Sequence, residues 1–445
     1  MLNRLFKLDQ HQTTVRRELY AGVTTFAAMA YILAVNPAIL ANTGMDQAAL
    51  VTITALSAAL ASLLMALLTN YPIAMAPGMG INAFFTYTMC LGRGVPWEEA
   101  LGMVFINGLL FLALSLTGVR EKIIEAIPHN LKLAITCGIG LFIAFLGLQS
   151  AGVIVSHPAT LVTHGDFSAG PVWLCLAGIG LTAILVARRV PGAIVIGIAA
   201  VTVAGLFVRA GGGRMVTELP ERFLSLPASP EPIFLKLTFQ FLTTGNAILM
   251  ALPLILTLLL VDMFDNIGTL IGVTKRAGFL RADGTLPKAG RALVADSLAT
   301  ILSALGGTST VVSYIESAAG VAVGGRTGLT TVTTAALLLL ALFLTPLILA
   351  IPTAATAPAL VIVGVFMLQS VSEIDMRDFR IALPAALTIL AIPLMFSIAE
   401  GIGVGMISAA LLAYALGEKS RVTTAGYIIA AFFFLQFFKI WPFSR

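Results

Sequence analysis

The chain has 445 residues, of which 58% are hydrophobic and only 11% charged, and its mean hydropathy is +0.99. A soluble domain carries roughly 25% charged residues, so the composition argues against a water-soluble globule and makes lipid the main solvent. The net charge of +5 is no nucleic-acid signature, because the basic residues lie mainly in short loops between apolar runs.

Residues 1–17 are charged and amphipathic, and the apolar run that follows is long enough to span a bilayer. They read as a short cytoplasmic segment at the membrane interface rather than a cleavable signal. A spanning helix needs about 20 mostly apolar residues. In a first repeat, 18–209, such runs fall near 19–41, 50–69, 73–91, 98–118, 131–150, 171–188 and 192–209. A polar connector, 210–244, contains Gly211-Gly212-Gly213 and a cluster of prolines. The second repeat, 245–417, has runs near 245–273, 290–305, 310–323, 328–350, 356–371, 379–398 and 401–417. The tail, 418–445, holds a further apolar segment, 425–441, that reads either as an extra span or as an interfacial helix. Cys90, Cys137 and Cys175 lie inside apolar segments without metal-ligand spacing and read as small buried hydrophobes.

Cytoplasmic loops are enriched in Lys and Arg. With the N-terminus inside, the inner side receives Arg16, Arg17, Arg120, Lys122, Arg188, Arg189, Lys275, Arg276, Arg281, Arg377 and Arg380. The outer side holds Arg93 and, in or beside the connector, Arg209, Arg214, Arg222 and Lys236. This asymmetry predicts an all-α, multi-pass protein of the inner or plasma membrane with about fourteen spans. Seven spans, a connector and seven more is the arithmetic of an inverted repeat, an architecture that places substrate sites near the midplane.

Two runs are poor simple helices. Residues 72–90 contain Pro77, Gly78 and Gly80, and residues 306–325 begin Gly-Gly-Thr-Ser-Thr-Val-Val before turning helical at Glu316. Glycine costs about 1 kcal/mol and proline about 3 in a helix interior. Each segment is third in its repeat, and both read as half-extended, half-helical elements meeting at the membrane centre. Irregular backbone survives there only where protein or a wet cavity satisfies it.

Four acidic residues fall within the spans: Asp262, Asp265, Asp296 and Glu316. A charge at the bilayer centre costs at least about 2.5–3.5 kcal/mol, so each is a functional candidate. Asp265 and Glu316 are the strongest, and Asp262 is a further proton-coupling candidate. Asp296, near a helix end one turn past Arg291, reads as structural. His11, His129, His157 and His164 all sit near ends or loops, so a proton relay must use carboxylates and water. The string GGRTGLT, 324–330, lacks the Lys-Ser/Thr of a phosphate loop and reads as a helix start capped by Thr327. With no metal cluster or nucleophile–base pair in view, the chain reads as a carrier rather than an enzyme, needing no cofactor beyond a coupling proton.

At these residues the chain resembles a known family. APGMGINAFF (76–85), FDNIGTLIGV (264–273) and GTSTVVSYIESAAGVAVGGRTGLT (307–330) look like the AzgA-like purine permeases of the nucleobase:cation symporter family 2. ELYAGVTTFAAMAYILAVNP (18–37) and LSLTGVREKIIEAIP (114–128) also match, so the likeness covers essentially the whole chain. The resemblance implies a 7+7 inverted fold with a core of spans 1–4 and 8–11 and a gate of spans 5–7 and 12–14. It implies a purine base, hypoxanthine or guanine ahead of adenine, held between short paired strands of spans 3 and 10. By motif the binding carboxylates fall on Asp265 and Glu316 and the amide on Asn82, with Thr269 where pyrimidine-carrying relatives have a histidine. Ser313 is a further hydroxyl candidate, and Phe84 or Phe85 offers a ring face for the base. Relatives of this fold often pair through gate helices, so a homodimer is the implied assembly. The competing readings are an anion carrier of the same general fold, as in sulfate permeases, and an intramembrane enzyme or passive channel.

Overall fold

The computed structural model describes residues 2–117, 127–210, 214–279 and 286–438. Arg120, Lys122, Arg281, Gly211, Gly212 and Gly213 lie outside the described residues, as do residues 439–441 of the last apolar run and the side chains of Lys275 and Arg276. The chain is mostly helical. Among the described residues, nine helical stretches are long and apolar enough to cross a membrane, and four shorter apolar helices accompany them.

In order, the elements are α1 (Leu2–Phe6), α2 (Val15–Met29), α3 (Ile32–Leu40), α4 (Gln47–Thr69), β1 (Met75–Pro77), α5 (Met79–Ala83) and a π-helical segment Phe84–Gly92. Then come α6 (Trp97–Thr117), α7 (His129–Ser150), β2 (Ile154–His157), β3 (Leu161–His164), α8 (Gly170–Ala187) and α9 (Ala193–Gly205). After the connector follow α10 (Gly245–Arg276), α11 (Ala289–Gly306), β4 (Val311–Ser313), α12 (Ser317–Ala322), α13 (Gly328–Ala341) and α14 (Thr345–Leu349). The chain continues through α15 (Thr353–Leu368), α16 (Phe379–Leu394) and α17 (Ile398–Ala415) to α18 (Thr424–Phe437).

Local chemistry sets many of these boundaries. Thr14, Asp46, Thr327, Ser397 and Thr423 each cap a helix start by accepting an N–H of the first turn. The α4 helix ends at Asn70 in the left-handed conformation, and α11 ends at Gly307 with φ 98°. A Cβ at Gly307 would meet the Ile233 carbonyl at 2.5 Å, so the turn needs glycine on two counts.

The helices pack as two groups. One contains α2, α3, α4, α6, α10, α11, α12 and α13; the other contains α7, α8, α9, α15, α16 and α17, with α18 laid on α17. Thinner contacts join them, of α5 with α7, α3 with α15 and α10 with α17. A short hairpin, β2–β3, stands between α7 and α8 with Ile154 opposite His164. The sequence places only a loop there. The strands form because the segment lies beyond the apolar runs and its turn is closed by His157 Nδ1, which accepts from the Ala159 and Thr160 amides.

The two interrupted segments meet. β1 and β4 pair antiparallel, Met75 with Ser313, Ala76 with Val312 and Pro77 with Val311, and all six residues are buried. The Gly78 amide extends the ladder to the Thr310 carbonyl at 3.0 Å, and the Tyr314 amide bonds to the Ala74 carbonyl at 3.0 Å. Ser62 Oγ accepts from the Met75 amide, and Ser317 Oγ accepts from the Ala74 amide. Each broken element thus satisfies the backbone groups that the other leaves open.

The start of α13 is held by a carboxylate from the start of α2. Glu18 is fully buried and accepts from Thr13 Oγ1 (2.8 Å), the Arg326 amide (2.9 Å), the Thr327 amide (3.1 Å), Thr327 Oγ1 (2.9 Å) and Thr330 Oγ1 (2.6 Å). An anion at a helix N-terminus is favoured both by its unsatisfied N–H groups and by the helix dipole. Glu18→Ala should therefore destabilise the protein by about 2–4 kcal/mol, because buried donors lose a charged acceptor. Glu18→Gln, which keeps one acceptor oxygen, should cost less. Thermal unfolding of both variants in detergent checks the order.

Candidate functional site

The paired strands fix where the chain turns helical again, and Glu316 stands at that turn, immediately before α12. Its carboxylate is half-buried and accepts a hydrogen bond of 2.6 Å from the Tyr31 hydroxyl. Tyr31 is itself 2% exposed and sits in the short break between α2 and α3, where Ala30 ends one helix. The neighbouring phenol, Tyr314, donates to the Pro77 carbonyl at 2.7 Å and so ties β4 to the end of β1. Asp265, on α10, is also half-buried and lies within electrostatic reach of Glu316, Tyr31 and Tyr314. Two carboxylates and two phenols from three chain segments thus converge where the strands end.

The other expected site residues divide. Thr269 is one turn from Asp265 on the same helix and 8% exposed. Ser313 ends β4, is buried, and its hydroxyl has no hydrogen-bond partner among the described residues. Phe84 and Phe85 are fully buried in the main apolar core, to which both helix groups contribute. Asn82 is fully buried too, and both ends of its amide are engaged: Nδ2 donates to Asn36 Oδ1 at 2.6 Å, and Oδ1 accepts from Ser309 Oγ. Asn36 continues the network to Thr54 at 2.6 Å and Thr308 at 3.3 Å. A ligand could reach Asn82 only by opening these bonds. Asp262 is fully buried and receives Asn107 Nδ2 of α6 at 3.1 Å, so it stands at the contact of α10 with α6. Asp296 is likewise fully buried.

Tyr31 escaped the sequence reading. The available signal was a tyrosine inside an apolar run one turn and a half before Asn36-Pro37, a place where a hydroxyl needs a partner.

Comparison with known proteins places this geometry in a family. The chain matches the permease-family model Xan_ur_permease over residues 16–434. It is 42% identical to the guanine/hypoxanthine permease PbuG of Bacillus subtilis, covering 98% of this chain and 99% of that protein. The chain belongs to this permease family. The permease is also 38% identical to the adenine permease AdeP of Escherichia coli, over 98% of this chain and 96% of AdeP. Its fold resembles the transmembrane domain of a cyanobacterial bicarbonate transporter, BicA, with a TM-score of 0.64 at 18% identity, covering 88% of this chain and 97% of that one. Family and relatives are transporters, in agreement with a chain that is not an enzyme.

Tyr31→Phe in the permease removes the bond to Glu316 and should lower stability by about 1.5–3 kcal/mol, the range for a hydrogen bond to a charged acceptor. In a Glu316→Gln background the same change should cost clearly less. A double-mutant cycle of melting transitions measures the difference.

Proposed function

We propose that the permease imports purine nucleobases, guanine and hypoxanthine ahead of adenine, by proton symport. The observation that carries the reading is near-full-length identity to proteins named as guanine/hypoxanthine and adenine permeases, at 42% and 38%. The site chemistry agrees with it. Purine bases are flat and neutral, with donors and acceptors alternating around their edges. A carboxylate accepts from ring and exocyclic N–H groups, and a protonated carboxyl donates in return. In this reading Asp265 and Glu316 take the donor edge of the base, with Thr269 and Ser313 as adjacent hydroxyls. Asn82 and Phe84, fully buried here, take part only once their packing loosens.

The coupling follows from the same groups. A proton taken up by Asp265 or Glu316 removes one of two neighbouring negative charges and supplies a donor to the base, so proton and base bind together. Asp262, at its contact with Asn107, is a further place for the proton. Transport then proceeds by motion of one helix group against the other: a core of spans 1–4 and 8–11 and a gate of spans 5–7 and 12–14, each repeat crossing seven times with the N-terminus inside. The two packing groups and the thin contacts between them support that division. Phenols and hydroxyls around two acids suit a neutral base better than an anion, which separates this reading from an anion carrier of the same fold.

Proteoliposomes should take up labelled hypoxanthine, guanine and adenine, and an inward proton gradient should accelerate the uptake. Uptake indifferent to the gradient would sink the coupling, and full activity in Glu316→Gln would remove its assigned role. An excess of each unlabelled base in competition should rank guanine and hypoxanthine above adenine, whereas competition by sulfate would revive the anion reading.

A further inference from the structure

A cavity of about 240 Å³ lies between the two helix groups and away from Asp265 and Glu316. Its walls come from α3 and the π-helical segment on one side and from α7 and α15 on the other. Asn42, Ser150 and Thr353, at the ends of these elements, form its mouth. This is the end of α7 opposite Lys132, and therefore the outer side in the orientation proposed above. Its volume exceeds the roughly 150 Å³ of an apolar cavity that accepts a benzene ring.

Three observations point to a ligand. First, the cavity is stacked on the central site along one helix: its wall residue Val35 donates its backbone N–H to the Tyr31 carbonyl at 3.0 Å, and Tyr31 holds Glu316. Below it α7 closes against α5, where a Cβ at Gly80 would come within 2.8 Å of Ile139. Second, one wall is a nine-residue π-helical segment, Phe84–Gly92, a rare conformation that concentrates at functional sites. It presents Tyr87, half-buried, with its ring edge-on to Phe142 at 6.5 Å and its hydroxyl without a hydrogen bond among the described residues. Third, the lining holds no ionised side chain. Asn42 Nδ2 already donates to the Ala38 and Ile39 carbonyls, which leaves its Oδ1 as an acceptor at the mouth. An aromatic wall, one phenolic donor and an amide acceptor without charge match a neutral, flat heteroaromatic.

We infer that this cavity is a vestibular binding site for the transported base, which packs against Tyr87 before it passes Tyr31 to reach Asp265 and Glu316. The ligand class rests on the purine reading; the existence of a second site does not rest on the two carboxylates. The vestibule captures the base from outside and sets the concentration at which uptake half-saturates, while the carboxylates set coupling.

A thiol at the mouth reads occupancy directly. Cys90, Cys137 and Cys175 are all buried, so Ser150→Cys in the otherwise native chain supplies the one thiol expected to react with a membrane-impermeant maleimide on intact cells. Hypoxanthine should slow that labelling, and should slow it equally when Asp265→Asn and Glu316→Gln are added. Tyr87→Leu should raise the half-protecting concentration about tenfold, the effect of losing one base–aromatic stack, while Tyr87→Phe, which keeps the stack and loses only the phenolic donor, should raise it less. Protection that vanishes in the carboxylate double variant would show only central occupancy and overturn the vestibule. So would protection unchanged in a Tyr87→Leu chain that still takes up hypoxanthine. Uptake by the Ser150→Cys parent without protection overturns the vestibule alone, whereas a parent that takes up no purine overturns the purine reading and the vestibule with it.

Discussion

Inside a bilayer each backbone N–H and C=O must find its partner within the protein, because an unsatisfied group in hydrocarbon costs several kcal/mol. The pairing of β1 with β4 meets that requirement for two chain segments that cannot be continuous helices, and the site depends on it. The ladder sets the depth at which each segment turns helical, and that turn is where Glu316 stands. It also brings Tyr314 to the Pro77 carbonyl and Ser309 to Asn82. A one-residue slip would send every strand side chain to the opposite face. The serines at positions 62 and 317, bonded to the amides that precede and open β1, hold the register against such a slip.

Around this ladder the polar groups fall into two classes. Asn36, Thr54, Asn82, Thr308 and Ser309 form a fully buried network in which hydrogen bonds bind three helical elements to the strand region. A network so satisfied rigidifies its surroundings. Asp265 and Glu316 differ in kind: both are half-buried, and among the described residues Glu316 receives a side-chain bond only from Tyr31. A carboxylate with remaining acceptor capacity and partial exposure can exchange partners, which is what a transient ligand requires. Rigid amides therefore hold the frame, while the less constrained acids keep acceptor capacity free for the ligand of the proposed function.

The seam between the two helix groups carries a third kind of contact. Thr88 Oγ1 reaches the Phe396 carbonyl at 3.1 Å, and Arg93 pairs with Glu400 at 2.8 Å. These contacts are few and partly exposed, and an exposed ion pair contributes about 0–1 kcal/mol. A joint of this strength can break and re-form, unlike the continuous packing of α7 on α15 or of α4 on α13. The cavity beside Tyr87 opens along the same seam, so the proposed vestibule and the proposed motion of the groups would share one surface.

Composition and charge placement by themselves determined that the chain lives in a membrane, where its apolar runs begin and end, and which two runs are broken, since these follow from hydrophobicity and from the backbone limits of proline and glycine. They also singled out Asp265 and Glu316, because acids are rare at that depth. Residue strings, read by resemblance, pointed to the permease family. Only the tertiary structure decided that β1 pairs with β4, that Tyr31 holds Glu316 across 285 residues of chain, and that Glu18 closes the start of α13 across 309. It also decided that Asn82 is engaged with Asn36 and Ser309, and that Asp262 accepts from Asn107 across the contact of α10 with α6. The reason is physical: a local pattern specifies what a residue can do, whereas which partner reaches it first depends on how distant helices pack, and no local signal encodes that distance.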